Sequence, residues 1–417
     1  MDLQAAIGRR RDGGPSTAED FQNLAHGAAD GSTPDYQLSA WLMAAFLNPL
    51  TPSETAELTL AMADSGERLD LSGLPKPWVD KHSTGGVGDK TSLVVLPMLA
   101  ACGLTVVKMS GRGLGITGGT IDKLSSVPGF RTDLSPEELK AQAKSIGIAL
   151  TGQTPRLAPA DKALYALRDA TGTVESIPLI ASSILSKKIA GGAEVIVLDV
   201  KCGSGAFMRD LESARALKQM LEDIGGHAGL TVRAFISDMD QPLGRCAGNA
   251  LEVKEAIRVL KGETGRFREL CVHCVRTVLE ACGLPDRAVE VLEGGSALAK
   301  AKEWFAAQGG DLTVFESEDW GRAAVVREVR AAQAGWVERV DARRIGELVV
   351  NLGGGRKRKE DAIDPAVGCE VLVEVGDQVR AGDAVLRVHS ASVFEDGEDC
   401  VIFSAEPVVR RDVILES

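Results

Sequence analysis

Between residues 79 and 124 two glycine-rich turns each follow a short apolar segment, and no other part of the chain constrains its fold as strongly. The first turn reads Lys81-His82-Ser83-Thr84-Gly85-Gly86-Val87-Gly88-Asp89-Lys90-Thr91-Ser92. The second reads Lys108-Met109-Ser110-Gly111-Arg112-Gly113-Leu114-Gly115-Ile116-Thr117-Gly118-Gly119-Thr120-Ile121-Asp122. Glycine lets the backbone turn through positive φ and brings N–H groups close to a ligand. With the Ser and Thr hydroxyls and the charges of Lys81 and Lys108, such turns at helix starts make an anion cradle, most often for phosphate. Asp89 argues against a Walker A loop and the P-loop NTPase it would imply. Such a loop needs glycine directly before its Lys-Thr pair, whereas Asp89 precedes Lys90-Thr91 here and its carboxylate would repel phosphate at that position.

A chain of 417 residues has room for roughly two or three domains. Its 44% hydrophobic and 25% charged content is that of an ordinary globular protein. A net charge of −12 and only 4% aromatics argue against a nucleic-acid surface, so a small anionic substrate must be gathered by local lysines. No apolar run follows the Arg9-Arg10-Arg11 cluster, so neither a Sec nor a twin-arginine signal is expected. Nor is any apolar run long enough to span a membrane. The eight cysteines are irregularly spaced and read as reduced intracellular thiols. Cys271 and Cys274 lack the second pair that zinc requires and read as thiols partly buried on a helix. The expectation is a cytoplasmic protein.

Along the chain, residues 1–70 read as a first helical part. Ser16 with Glu19 fits a capping box, Thr33-Pro34-Asp35 is a start signal, and Thr51-Pro52-Ser53-Glu54 places proline at the first helical position. Residues 38–47 are apolar nearly all round, as in a helix buried in a core or against a partner subunit. The pattern breaks at residues 71–77. Beyond it, 71–157 and 193–335 alternate short β-rich runs with helical stretches and predict one α/β domain with a mostly parallel sheet. Its elements include a helix over 91–101, strands at 105–109, 195–200 and 232–236, and a helix opened by Ser135-Pro136. Ligand loops then fall at the carboxyl ends of its strands. Residues 158–192 interrupt this domain as a helical insertion, with helices at 161–170 and 178–190, expected to pack back on the N-terminal helices and to face the sheet across a cleft. Residues 336–417 read as a β-rich, sandwich-like domain. Its Val-Gly-Asp and Ala-Gly-Asp turns resemble lipoyl/biotinyl carriers but offer no modifiable lysine at a hairpin tip, so the domain reads as structural. Lys357, Arg358 and Lys359, ahead of the β alternation that begins at Glu370, read as a solvated basic patch.

Within the insertion, Tyr165 and Arg168 are three residues apart and Ser183 and Lys187 four apart, so each pair shares a helical face. Facing a phosphate cradle, they would offer hydroxyls, a guanidinium and an ammonium to a substrate with several carbonyl acceptors.

Taken together, the two glycine-rich runs, the block Asp238-Met239-Asp240-Gln241-Pro242-Leu243-Gly244 and the block Gly248-Asn249-Ala250-Leu251-Glu252-Val253 resemble the hallmark motifs of the pyrimidine/thymidine nucleoside phosphorylases. The resemblance runs over nearly the whole chain. It implies a homodimer formed through a small helical domain, with that domain and a larger α/β domain closing over substrate. It also implies phosphorolysis of thymidine, uridine and deoxyuridine to free base and sugar 1-phosphate with inversion, with phosphate as co-substrate and no cofactor. The roles carried over put phosphate on Lys81, Ser83, Ser92, Lys108, Ser110 and Thr120. The pyrimidine falls to His82, Tyr165, Arg168, Ser183 and Lys187, of which His82, Arg168 and Lys187 act on the departing base. Leu114, Val174, Ile180 and Phe207 would form its apolar walls.

Three positions depart from the family pattern: Ile116 stands for a usual His, Ser125 for a usual Glu, and Lys90 for a small hydroxyl residue. Ile116 is expected to reshape the base side of the pocket and Ser125 to affect loop support. The Lys90 ammonium is expected to take the place of a monovalent cation near Gly88, Leu243 and Glu255, with no metal site otherwise. Lys108 resembles the broad pyrimidine enzymes, where strict thymidine enzymes tend to have an apolar residue. The alternatives are a strict thymidine phosphorylase, a Mg²⁺-dependent phosphoribosyltransferase of related architecture, and a non-catalytic nucleoside-binding member.

Overall fold

Capping chemistry sets the helix starts in the computed structural model, which describes residues 3–113, 115–116, 118–154, 156–358, 360–394 and 396–417. At Thr51 and at Ser135 the hydroxyl accepts the backbone N–H three residues on, and the Glu54 or Glu138 carboxylate returns to the cap's own N–H. Proline follows directly, where its missing N–H is not needed. The box expected at Ser16 and Glu19 lies one residue later, on Thr17 and Asp20. Ser16 is otherwise engaged: its hydroxyl accepts from Arg10 Nε at 3.3 Å and its N–H donates to Glu54 at 2.8 Å.

The chain begins with α1 (Leu3–Arg11), α2 (Ala18–Asp30), α3 (Asp35–Leu47) and α4 (Pro52–Ala63). Then come β1 (Trp78–Ser83), α5 (Thr91–Ala101), β2 (Thr105–Ser110), α6 (Thr120–Ser125), α7 (Pro136–Ile146) and β3 (Ile148–Gly152). The insertion supplies α8 (Pro159–Thr171) and α9 (Ile177–Ala190), followed by β4 (Val195–Cys202), α10 (Leu211–His227) and β5 (Thr231–Asp238). Next are β6 (Cys246–Ala247), α11 (Asn249–Leu260), α12 (Arg266–Ala281), α13 (Ala288–Glu293) and α14 (Ser296–Ala307). The last part holds β7 (Val325–Arg330), β8 (Gly335–Val340), α15 (Ala342–Asn351), β9 (Gly368–Val371), β10 (Gln378–Val379), β11 (Ala384–Ser390), β12 (Val401–Ser404) and β13 (Ile414–Glu416).

The main sheet has the order β13-β5-β4-β1-β2-β3 and is mostly parallel, with β13 antiparallel at one edge. The chain divides into two compact units, residues 1–80, 153–197 and 215–234, and residues 81–152, 198–214 and 235–417. In the first, α2, α3 and α4 join α8 and α9 of the insertion around Phe21, Leu24, Trp41, Leu42, Leu58, Leu164 and Leu179. In the second, α5 is apolar all round and buried over its length, the behaviour of a core helix. The C-terminal part packs two antiparallel sheets, β6-β9-β11-β7 and β10-β8-β12, around Val337, Val340, Leu386 and Val388. It is β-rich as expected, with one addition. Helix α15 inserts Ile345, Leu348 and Val349 into the same core. No helix among the described residues is long and apolar enough to cross a membrane.

Candidate active site

Lys81, His82 and Ser83, which the sequence places in a turn, lie at the carboxyl end of β1. The Lys81 side chain is buried and its ammonium donates to Thr91 Oγ1. Asp89 supplies the counter-charge: its carboxylate accepts from Thr91 Oγ1 at 2.7 Å and Thr91 N at 3.2 Å, and from the Ser83 hydroxyl. Burial pushes the Asp89 carboxyl up, but Lys81, then Lys201, outweigh it and hold the group well below the usual carboxylate range. Burial likewise lowers the Lys81 pKa, Asp89 outweighs it, and the ammonium is held above its ordinary value. The residue that breaks the Walker A pattern is thus the one that contributes most to raising the Lys81 pKa.

Lys108 lies on β2, the neighbour of β1, and its buried ammonium donates to the Lys81 carbonyl. Ser110 ends the same strand. Ser92 sits in the first turn of α5, where helix N–H groups lack intrahelical acceptors. Thr120 opens α6 directly after Gly119. Thr84 fixes the first loop to β4, its N–H donating to the Asp199 carbonyl at 3.0 Å and its hydroxyl accepting from Lys201 N at 2.8 Å. Phe207, on the turn after β4, is 53% exposed. Leu114 lies outside the described residues.

The Lys90 ammonium bonds the Leu243 carbonyl at 2.6 Å, the Cys246 carbonyl at 2.9 Å and Glu255 at 2.6 Å, with both charged side chains buried. Two of the expected neighbours, Leu243 and Glu255, are ligands of this ammonium. Gly88 contributes closeness instead: at φ +74, a Cβ on it would lie within about 3 Å of the same two carbonyls. Burial lowers the Lys90 pKa, but Glu255, then Glu252, raise it above its ordinary value.

On the first unit, Tyr165 and Arg168 share a face of α8, with the guanidinium 5.8 Å from the Tyr165 ring. Arg168 donates to the carbonyls of Thr173, Leu179 and Val174 at 3.2, 2.9 and 2.6 Å, which ties α8 to the start of α9. Lys187 of α9 donates to Ser183 Oγ at 3.1 Å and pairs with Asp161. Val174 and Ile180 are partly exposed beside them. The phosphate-side candidates therefore come together on one unit, and Tyr165, Arg168, Val174, Ile180, Ser183 and Lys187 on the other. His82 and Phe207 belong with the phosphate side.

Several supporting residues carry no mark in the sequence. Lys123 of α6 is buried, and its ammonium bonds the Asp89 carbonyl at 2.7 Å, the Gly118 carbonyl at 3.0 Å and Glu252 at 3.0 Å. One lysine thereby joins both glycine loops to α11. Asp199, Lys201 and Ser237 form a fully buried cluster beneath the first loop. A charge inside a glycine-rich run looks solvated in sequence. The one available signal was Glu252 and Glu255, three apart among the apolar residues of α11. Ile116 packs against Val87 and Gly346 in the C-terminal core, where a Cβ on Gly346 would lie 2.8 Å from Val87 and 2.9 Å from Ile116. Ser125 is exposed at the end of α6.

Residues 4–66 match the helical bundle domain of a glycosyl transferase family, residues 75–301 its a/b domain, and residues 336–398 the pyrimidine nucleoside phosphorylase C-terminal domain. The chain is 49% identical over 399 residues to a pyrimidine-nucleoside phosphorylase of Geobacillus stearothermophilus, covering 94% of this chain and 92% of that one. It is 46% identical over 399 residues to the Bacillus subtilis (strain 168) enzyme of the same name, with the same coverage. Its fold is similar to that of anthranilate phosphoribosyltransferase (TrpD) from Thermus thermophilus, with TM-score 0.58, 20% identity, and 74% of this chain and 99% of that one covered. That last likeness concerns the fold alone. A loop pair built around buried lysines, on a glycosyl transferase scaffold with this C-terminal domain, places the chain in the pyrimidine-nucleoside phosphorylase family of pentosyltransferase enzymes.

Proposed function

We propose that the protein catalyses reversible phosphorolysis of thymidine, uridine and deoxyuridine, giving free base and (deoxy)ribose 1-phosphate with inversion at the anomeric carbon. The observation that carries this reading is the pair of buried lysines, Lys81 and Lys108, on adjacent strands, each ending in a glycine-rich turn. Phosphate, held by Lys81, Ser83, Ser92, Ser110 and Thr120 with Lys108 towards the ribose, attacks the anomeric carbon from the face opposite the base. The new C–O bond forms as the C–N bond breaks, and the electron pair of that bond leaves on the pyrimidine.

Negative charge then grows on the base carbonyls, and Arg168, Lys187 and Ser183 answer it with fixed donors. A guanidinium has more N–H donors than the three carbonyls around Arg168 take up. His82 donates a proton or hydrogen bond to a base carbonyl, Tyr165 holds the ring, and Val174, Ile180 and Phe207 wall it. No cofactor takes part. Lys90 serves as an internal cation in place of a bound one. The chain works as a homodimer through α3, whose Tyr36, Met43 and Leu47 are 73%, 37% and 69% exposed along one face with Ala40.

The test is ³¹P and ¹H NMR of uridine mixed with inorganic phosphate and purified protein. The reading expects α-ribose 1-phosphate with uracil. Ribose and uracil without a phosphate ester would refute it.

A further inference from the structure

We propose that Arg356, outside the glycine loops and on the C-terminal side of α15, is a positioning residue for the substrate-facing loop 111–119. The inference rests on the reaction assigned above. That loop is rich in glycine, so few of its own side chains can fix its backbone, and glycine gives up more conformational freedom on ordering than any other residue. Its fixed points come from elsewhere. Asp122, almost fully buried at the start of α6, accepts the Gly113 N–H at 2.7 Å and Arg112 Nη1 at 3.2 Å. Arg356 Nη1 donates to the same carboxylate at 2.9 Å and lies 3.3 Å from the Gly113 carbonyl. The Arg356 carbonyl accepts the Gly115 N–H at 2.9 Å.

Arg356 thus grips Gly113, Gly115 and Asp122 at once and is itself only 9% exposed. Its own segment is anchored by Nε to the Asp361 carbonyl at 3.1 Å, and by Asn249 Nδ2 to the Gly354 carbonyl at 2.8 Å. Asn249 opens α11, the helix whose Glu252 and Glu255 hold Lys123 and Lys90. The C-terminal segment and α11 therefore fix the second loop between them. Ser110 and Thr120 flank that loop, so its path sets where both hydroxyls stand.

Arg356→Ala is expected to lower kcat/KM for phosphate by about 10²-fold, the cost of a small misplacement in a site that works by positioning. Millimolar guanidinium should restore part of the loss by refilling the cavity. Arg356→Lys should recover little, because an ammonium placed at the Nη1 position lacks the second donor, Nε, that bonds the Asp361 carbonyl while Nη1 reaches Asp122 and Gly113. Hydrogen exchange supplies a readout independent of turnover: the peptide covering residues 111–119 should exchange faster in the variants, with α5 and α14 unchanged. Asp122→Asn should do the same and carries the test if Arg356→Ala does not fold. Kinetics within twofold of the parent, full recovery by Arg356→Lys, or unaltered exchange over residues 111–119 would each overturn the proposal. A parent without phosphorolysis would count against the assigned reaction and leave the exchange measurement to decide this one.

Discussion

The Lys90 ammonium lies 2.6 Å from a Glu255 carboxylate oxygen, with both side chains buried. Two backbone carbonyls bond it as well and the Phe267 ring lies 5.0 Å away, so a covalently attached cation sits where carbonyls and a carboxylate converge. Turnover should therefore be insensitive to replacing potassium by tetramethylammonium at fixed ionic strength. Lys90→Ser leaves the buried Glu255 with its two backbone N–H donors but without its counter-charge, a loss of up to roughly 3–5 kcal/mol. Potassium should return part of that loss to the variant, read as a rise in melting temperature. A parent enzyme that needs potassium contradicts the account.

Asp89 and Lys81 stabilise each other within a definite pH window. The Asp89 pKa is depressed in the folded state, so its contribution is full above the ordinary value of 3.8 and is lost as pH falls through the lower folded value. The Lys81 pKa is raised, so its contribution is full below the ordinary value of 10.5 and is lost as pH rises through the higher folded value. Thermal melts should show a plateau between these limits with falls on both sides. Asp89→Asn should lower the plateau and flatten the acid side. An unchanged acid limb in the variant would show that other carboxylates carry it.

In the proposed reaction the Lys108 ammonium lies towards the ribose and discriminates among sugars. Lys108→Met should cost uridine turnover more than thymidine turnover, because only uridine carries the 2′-hydroxyl that an ammonium can meet. Steady-state kinetics on both nucleosides decides it; equal losses would remove Lys108 from specificity and leave it a phosphate residue.

The exposed face of α3 predicts a dimer. Light scattering on the parent should give twice the chain mass, and Met43→Glu with Leu47→Glu should give a monomer with unchanged helical circular dichroism. Both positions are exposed, so the fold of the chain does not depend on them. A parent that is monomeric at micromolar concentration would refute this interface.

Much of this architecture could be read from local chemistry. The proline-led helix starts at Thr51 and Ser135, the core helix at 91–101 and the strand after residue 195 all follow from spacing and capping alone. Helix α15 escaped notice because its apolar positions Ile345, Leu348 and Val349 sit in a short run just before a tail of β alternation. The capping box moved from Ser16 to Thr17 because Arg10 and Glu54, distant in sequence, claim Ser16. In the site, the glycine turns and their lysines were legible, since they are contiguous. The groups that hold those turns were not. Glu252, Glu255, Lys123 and Arg356 meet the loops only after long-range folding, and a lone charge in sequence gives no hint of its partner. Ile116 shows the same limit: its packing with Val87 and with Gly346 of α15 joins residues far apart in the sequence.

The central claim is a phosphate-dependent cleavage that needs no added metal. The direct measurement is the ultraviolet change on mixing purified protein with uridine or thymidine, with and without phosphate, in metal-free buffer. The account predicts loss of both nucleosides only when phosphate is present. Cleavage without phosphate, or none with it, would contradict it.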